Sequence, residues 1–194
     1  MADVVVPISY SPRTGQHHHH LRSYKADPPS VRARWDLLAL LLLFLRGHLG
    51  CIARHLGGAP SHLVTVPSTR GRIGAHPLAD LIGDRLGLQR PAVELGAEHE
   101  PSDHRFHPDW FRSAPWSVAG ARVLVVDDTW TTGARAQSLA HGLKTAGADR
   151  VGVVVLGRRI RPEHEPSRPL LKAIEKPLFD LTTCAAEDLT GFSS

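Results

Sequence analysis

Cysteine is scarce in this chain, and its scarcity excludes two kinds of protein. The 194 residues include two cysteines, Cys51 and Cys184, which lie far apart in apolar contexts. A disulfide-stapled secreted scaffold needs more of them, and the two do not have the spacing of a zinc-binding motif. We therefore expect reduced, buried thiols and a cytoplasmic protein.

A hydrophobic run long enough to cross a membrane is also lacking. Leu37 to Leu45 is wholly apolar, but it spans nine residues between Asp36 and Arg46, and a transmembrane helix needs about 20. The opening MADVVVPISYSP has neither a basic region nor a long apolar region, so it predicts a strand rather than a signal peptide. We expect a buried core helix from about Arg34 to His55 and no membrane association.

The net charge is only mildly positive, and the sequence contains no internal repeat. The formal net charge is +4 with 13 histidines, which leaves nucleic-acid binding open. An enzyme for a polyanionic small molecule also needs basic residues in its cleft, and a solvated basic surface is the simplest explanation. The length fits a single α/β domain covering residues 1–194.

The most informative stretch is RVLVVDDTWTTGAR, residues 122–135. Val123 to Val126 predict a buried parallel strand, which ends in Asp127 and Asp128. A turn rich in hydroxyl groups follows, and from Ala134 the apolar spacing becomes helical until Gly147, a plausible helix stop. Such a turn lies at the carboxyl end of a strand, where open α/β sheets bind ligands.

The residue types of this turn suit a phosphorylated sugar. Backbone N–H groups from Thr131 to Ala134 can cradle a phosphate, the Thr131 and Thr132 hydroxyls can donate to it, and Gly133 permits close approach. The paired carboxylates suit sugar hydroxyls or a magnesium ion shared with phosphate oxygens. We assign Thr129 to the same binding set. An ordinary capped strand–turn–helix remains the alternative.

A second loop has the composition of a polyphosphate site. Leu63 to Val66 predict another parallel strand, which Pro67 ends, and the loop that follows contains Ser68, Thr69, Arg70, Gly71 and Arg72. Two arginines, two hydroxyls and a glycine can hold a diphosphate, although a basic surface turn has the same composition. A helix should begin at Pro77, with a core face of Leu78, Leu81, Ile82 and Leu86.

The remaining segments are less patterned. Residues 9–34 predict a polar loop or hood that carries the run His17–His20, for which metal binding is left open. Gly87 to Gly120 predicts a short strand at Ala92 to Leu95 and otherwise a long loop, with 96–118 as a mobile lid. Val151 to Leu156 predicts a buried strand. Residues 160–184 complete the hood, and Leu178 to Cys184 is the candidate final strand.

The stretch around Asp127 resembles the phosphoribosyl-diphosphate (PRPP) motif of type I phosphoribosyltransferases, with Asp127, Asp128, Thr131, Thr132 and Gly133 matching in position. Ala134 stands where that family often has a hydroxyl residue. The arrangement of HLRSYK with the apolar helix, VTVPSTRGR and VLVVDDTWTTGARAQSLAHGLKTAGADRVGVVVLGR is similar to ComF-type phosphoribosyltransferases. This chain lacks the N-terminal cysteine module that many of those proteins have.

The resemblance implies a fold, an activity and a set of site residues. The fold would be a Rossmann-like parallel sheet flanked by helices, with a small variable hood. Asp127 and Asp128 would act on the ribose and hold Mg²⁺, Ser68 to Gly71 would hold the diphosphate of PRPP, and Arg105 of the mobile loop would be the catalytic cation.

The implied reaction is transfer of ribose 5-phosphate from PRPP to a nitrogenous base, with release of diphosphate. Two alternatives remain open. One is a non-catalytic PRPP or nucleotide sensor linked to DNA uptake or nucleic-acid binding, and the other is a phosphoribohydrolase-like activity. The expected partners are small-molecule substrates, and a homodimer is left open.

Overall fold

The computed structural model describes residues 1–12, 15–68, 76–96, 103–160, 165, 168–174 and 179–188. The described strands are β1 Val4–Pro7, β2 Tyr10–Pro12, β3 His62–Thr65, β4 Val93–Leu95, β5 Phe111–Ser113, β6 Arg122–Trp130 and β7 Arg150–Ile160. The described helices are α1 Gln16–Ser23, α2 Val31–Leu56, α3 Pro77–Ile82, α4 Pro115–Val118, α5 Ala134–Thr145, α6 Arg168–Ile174 and α7 Ala185–Asp188.

A parallel sheet forms the centre of the fold. Its strand order is β1-β7-β6-β3, and β2 continues alongside the distal half of β7. Every pairing in this sheet is parallel, while β4 and β5 form a separate antiparallel pair. The predicted α/β class, a parallel sheet flanked by helices, is therefore confirmed.

Strands β6 and β7 are the central strands of the sheet and are buried on both faces. Their side chains are therefore apolar on both sides, as is usual for central parallel strands. Leu124 and Val126 point to one face and pack in a cluster with α2. Val123 and Val125 point to the other face and pack with α5. Successive residues of β6 thus alternate between two cores, and that alternation continues into the residues that follow Val126.

Helix α2 is a core helix, as predicted, and is slightly longer than expected. The Ser30 hydroxyl caps its first turn by accepting from the Ala33 N–H at 3.2 Å, and Gly57 ends it with a φ of 68°. Leu41 and Ile52 are fully buried against the sheet. By length and composition α2 could also cross a membrane, which is weak evidence because core helices of soluble proteins pass the same test.

Strands β6 and β7 both run further than the sequence predicted. Strand β6 continues to Trp130, so Asp127 and Asp128 lie within it rather than at its end, and Thr129 and Trp130 belong to the strand rather than to the predicted turn. The cause is pairing: β7 also extends, and Thr129 pairs with Gly157. Local sequence could not show this, since Asp127 and Asp128 disfavour a strand and only pairing with β7 carries β6 past them to Thr129 and Trp130.

Other differences concern segments predicted as loops or strands. The part of 9–34 that was expected to be a polar loop contains β2 and α1, so the run His17–His20 is helical. The distal part of the predicted long loop forms β5 and α4, and Trp110 and Phe111 are buried in the α5-side core. Residues 179–184 form no strand, and the helix α7 follows them instead.

Candidate active site

A cavity of about 790 Å³ opens at the carboxyl end of the sheet. Its walls come from α1, from the end of β3, from the turn between β6 and α5, and from the end of β7. Both acidic residues of β6 line it together with Thr131, Thr132 and Gly133. The acidic pair and the hydroxyl-rich turn therefore share one concave surface at the position where parallel sheets bind ligands.

Asp128 is held by groups from two other elements. The Tyr24 hydroxyl donates a short hydrogen bond to its Oδ2, and the Lys25 ammonium lies 2.8 Å from the same atom. His76 Nε2 is 3.8 Å away. Burial alone would raise the pKa of Asp128, but the charge of Lys25 and the hydrogen bonds from Lys25 and Tyr24 lower it below its usual value. Asp128 is therefore ionised and already paired.

Asp127 has the opposite electrostatic character. Its Oδ1 accepts a hydrogen bond from the backbone N–H of Asp128 at 2.8 Å. Burial, and then the negative charge of Asp128, raise the pKa of Asp127 to about 7. The pKa values of the two neighbouring carboxyl groups are thus shifted in opposite directions, as expected when like charges share a poorly solvated site.

The turn after β6 is fixed by its own hydrogen bonds and by a close contact. The Thr132 hydroxyl donates to the His104 carbonyl at 3.1 Å and accepts from the Ala134 N–H at 3.3 Å. Gly133 has a φ of 76°, and a Cβ at this position would overlap the ring of Trp130. Only glycine meets both conditions, because the left-handed region disfavours other residues.

Basic residues surround the acidic pair. Lys25 and Arg22 line the cavity from α1 and the residues just after it, and Arg135 and Arg159 line it from α5 and β7. Arg159 could have been found from the sequence, since β7 is parallel to β6 and its end must lie beside the acids. No local signal distinguished Arg135, which looks like an ordinary helix residue.

His76 is a further residue that sequence reasoning missed. It caps α3, because its Nδ1 accepts from the Leu78 N–H at 3.2 Å. That bond leaves Nε2 directed toward Asp128. The only sequence signal was its position before Pro77, a residue that favours the first turn of a helix.

The predicted binding residues fall into three groups. The structure brings most of them to the cavity wall: Ser68, Asp127, Asp128, Thr129, Thr131, Thr132, Gly133 and Ala134. Thr69, Arg70 and Gly71 lie outside the described residues. Arg105 does not line the cavity; its side chain is 83% exposed and forms an ion pair with Asp103 at 2.9 Å. The catalytic role of Arg105 stays a prediction.

Helix α1 closes one side of the cavity and carries the histidine run. His18 and Leu21 face the cavity, while His17 Nε2 hydrogen-bonds the Leu156 carbonyl at 3.0 Å. A Cβ at Gly157 would meet Leu21 and His17, so this glycine lets α1 pack directly on β7. Metal binding by the histidine run stays a prediction.

No protein-family model and no curated protein sequence matches the chain. Among solved structures, it is similar to the orotate phosphoribosyltransferase from Aeropyrum pernix, with 23% identity, a TM-score of 0.43, and coverage of 73% of this chain and 68% of that one. It is similar to the adenine phosphoribosyltransferase from Thermoanaerobacter pseudethanolicus, with 18% identity, a TM-score of 0.37, and coverage of 66% and 86%.

A third solved structure is an allosteric regulatory enzyme of purine biosynthesis, with 18% identity and a TM-score of 0.38. The match covers 59% of this chain and 26% of that enzyme, so this chain spans about a quarter of its length.

Proposed function

We propose that the protein is a PRPP-dependent phosphoribosyltransferase that acts in the cytoplasm. One observation carries the proposal: an acidic pair and a hydroxyl-rich helix start share one cavity that is also lined by basic side chains. A ligand with a phosphate, a vicinal diol and a diphosphate needs these three kinds of group at once. A simple phosphate site would not need the buried acids, and a simple cation site would not need the arginines.

In the proposed reaction, the 5′-phosphate binds the turn from Thr131 to Ala134, and the ribose hydroxyls donate to Asp127 and Asp128. The bond between the anomeric carbon and the diphosphate oxygen breaks, and diphosphate leaves with the electron pair. A base nitrogen attacks the anomeric carbon and then loses its proton to solvent. The carboxylates favour the positive charge that develops on the ribosyl centre, an effect worth several kcal/mol in such sites.

Magnesium fits the type of donor present, because carboxylate and phosphate oxygens are its preferred ligands. However, the Lys25 ammonium already lies 2.8 Å from Asp128 Oδ2. We therefore expect Mg²⁺ to be held mainly by the diphosphate and by Asp127. Bound magnesium would neutralise the leaving diphosphate. The loop from Ser68 to Gly71 is proposed to contact the same diphosphate.

The test is incubation of the purified protein with PRPP, Mg²⁺ and a panel of nitrogenous bases, with diphosphate release as the readout. Release that depends on one base supports the transferase. Release without any base indicates the phosphoribohydrolase-like activity. Tight binding without turnover indicates the PRPP sensor, which is favoured by one observation: Tyr24 and Lys25 both contact Oδ2 of Asp128, one of the two proposed catalytic acids.

Paired variants test the assignment of the acids. Replacing both Asp127 and Asp128 by asparagine should abolish PRPP binding measured by calorimetry, because the ribose hydroxyls lose their anionic acceptors. Asp149→Asn is the matched control, since this exposed residue precedes the amino end of β7, at the opposite edge of the sheet. Unchanged affinity in the double variant contradicts the proposed site.

A further inference from the structure

Three buried potential metal ligands converge between α2 and the start of α7, away from the cavity, and one exposed carboxylate lies beside them. Ligand atoms of His48, Cys51 and Cys184 all lie within 4.8 Å of one another. Glu187 adds an oxygen, because its Oε1 is 2.9 Å from the Cys51 Sγ. We call these residues the thiol cluster. None of the four lines the cavity.

The cluster does not appear as a motif in the sequence, because two distant segments each supply half of it. His48 and Cys51 are three residues apart on α2, and Cys184, the residue before α7, is three residues from Glu187 on that helix. Residues at this spacing lie on one face of a helix. The two halves are separated by 132 positions, so no local spacing motif marks the cluster, which only the fold assembles.

The protonation of His48 is suited to metal binding. Its Nε2 lies 2.6 Å from the Leu181 carbonyl oxygen, and a carbonyl only accepts, so Nε2 carries the ring proton. In a neutral imidazole the lone pair is then on Nδ1, which is the nitrogen that faces Cys51. A backbone carbonyl that fixes the outer nitrogen is the usual second partner of a histidine ligand.

One distance in the cluster is close to that of a tetrahedral zinc site, and the other ligand atoms of His48, Cys51 and Cys184, which lie within 4.8 Å of one another, would draw together on binding. With zinc–sulfur bonds of about 2.3 Å and zinc–nitrogen bonds of about 2.0 Å, the sulfur and nitrogen ligands lie roughly 3.6 Å apart. The separation of Cys51 Sγ and His48 Nδ1 is 3.8 Å. The hydrogen bond from Cys51 to Glu187 is shorter than a ligand–ligand edge, so the carboxylate would move outward by about half an ångström.

Burial distinguishes this group from a chance surface cluster. His48, Cys51 and Cys184 are 6%, 6% and 3% exposed. The neighbouring Ile52 approaches Gly152, near the amino end of β7, so the cluster lies at the opposite end of the sheet from the cavity. Glu187 lies at the rim of the group, with a side chain that is 49% exposed and 3.4 Å from Arg54 Nη2. Four protein ligands are typical of a structural zinc site, because a catalytic one keeps a coordination position open.

We propose that His48, Cys51, Cys184 and Glu187 bind one structural zinc ion that fastens α7 to α2. Binding releases the thiol protons and adds zinc–ligand bonds between two segments that are distant in the sequence. The site does not depend on the proposed transferase activity.

The experiment measures zinc in the full-length purified protein and then replaces it by cobalt(II). We expect about one zinc ion per chain and, with cobalt, tetrahedral d–d bands together with thiolate-to-cobalt charge transfer. The charge-transfer band separates this site from His17–His20, which have no sulfur. A protein without zinc whose cobalt form shows no thiolate band overturns the proposal, as does a disulfide between Cys51 and Cys184 in the protein as purified without added oxidant.

Two variants and one control complete the test. Cys184→Ser should lose the charge-transfer intensity of one thiolate and at least about tenfold in zinc affinity, and Glu187→Gln should weaken zinc binding with both thiolates retained. His55→Gln is the matched control, because His55 contacts the Ala186 carbonyl from the same helix without joining the cluster. Equal loss in the control contradicts the assignment. If Cys184→Ser does not fold, the cobalt spectrum of the unmodified protein decides.

Discussion

Tyr24 and Lys25 are adjacent in the chain, yet both contact the same oxygen of Asp128. Tyr24 is fully buried, and Asp128 is 5% exposed. An ionised carboxylate in such a position needs charged or hydrogen-bonding partners, because its lost hydration is otherwise uncompensated. No local pattern in the sequence shows this role, because it depends on contacts across more than a hundred residues.

Replacing Tyr24 by phenylalanine tests this role. The hydroxyl donates to a buried, ionised acceptor, so we expect the free energy of unfolding to fall by about 1.5–3 kcal/mol. Urea unfolding at neutral pH measures the change. The same substitution at Tyr10, the other tyrosine of the chain, is the control and should have a smaller effect. Equal effects would show that the Asp128 contact contributes nothing specific.

The raised pKa of Asp127 predicts a dependence of stability on pH. Between its unfolded value near 3.8 and about 7, the carboxyl group is protonated when folded and ionised when unfolded. Folding then takes up a proton, so this group stabilises the protein at low pH and its contribution is lost as the pH rises. The slope is at most about 1.4 kcal/mol per pH unit.

Asp127→Asn removes that proton uptake. The free energy of unfolding of the original protein, minus that of the variant, should therefore decrease as the pH rises through this range. Urea unfolding at several pH values provides the comparison, and the difference cancels the titration of the histidines. Parallel profiles for the two proteins would mean that Asp127 has an ordinary pKa.

At the scale of elements, the junction of β6 and α5 depends on the fit between Trp130 and Gly133. Gly133→Ala imposes two costs, a left-handed backbone conformation and overlap with the indole ring. Gly120→Ala imposes only the first, since its φ is 66° and nothing lies within 4 Å of the added carbon. We expect Gly120→Ala to cost roughly 1–2 kcal/mol and Gly133→Ala at least about 1 kcal/mol more.

Urea unfolding of both variants checks this expectation, and a Trp130→Leu background isolates the ring. In that background the additional cost of Gly133→Ala should shrink, because the overlapping atoms are gone. An unchanged cost would show that the backbone conformation alone requires glycine at this turn.

The elements that the sequence predicted well are those with a local pattern. The helix from Ala134 and the buried strand at Val123 to Val126 follow from apolar spacing and were found in the structure. Strand β5 and helix α4 were missed because they have three and four residues, too few to show a period. Phe111 of β5 is buried because it packs with α5. Pairing and packing across the chain are not visible in a local window.

At the scale of the whole molecule, the cavity and the thiol cluster, the two proposed sites, lie at opposite ends of one sheet. The cavity uses the carboxyl ends of the strands, where sequence motifs predicted the acids and the turn. The thiol cluster and the contact of Tyr24 with Asp128 join residues that no motif relates, so only the folded chain brings them together. Helix α2 links the two regions, since its amino end follows the segment of Tyr24 and its carboxyl half carries His48 and Cys51.

The position of α2 in the fold is testable with two leucines that are neighbours on the same helix. Leu41 is fully buried against the sheet, whereas Leu43 is 56% exposed. Leu41→Ala should lower the free energy of unfolding by about 2–5 kcal/mol, because it removes buried carbon and leaves a cavity. Leu43→Ala, with the same change in composition, should stay within about 0.5 kcal/mol. Urea unfolding of the detergent-free protein measures both, and similar costs for the two would contradict a core helix with one buried face.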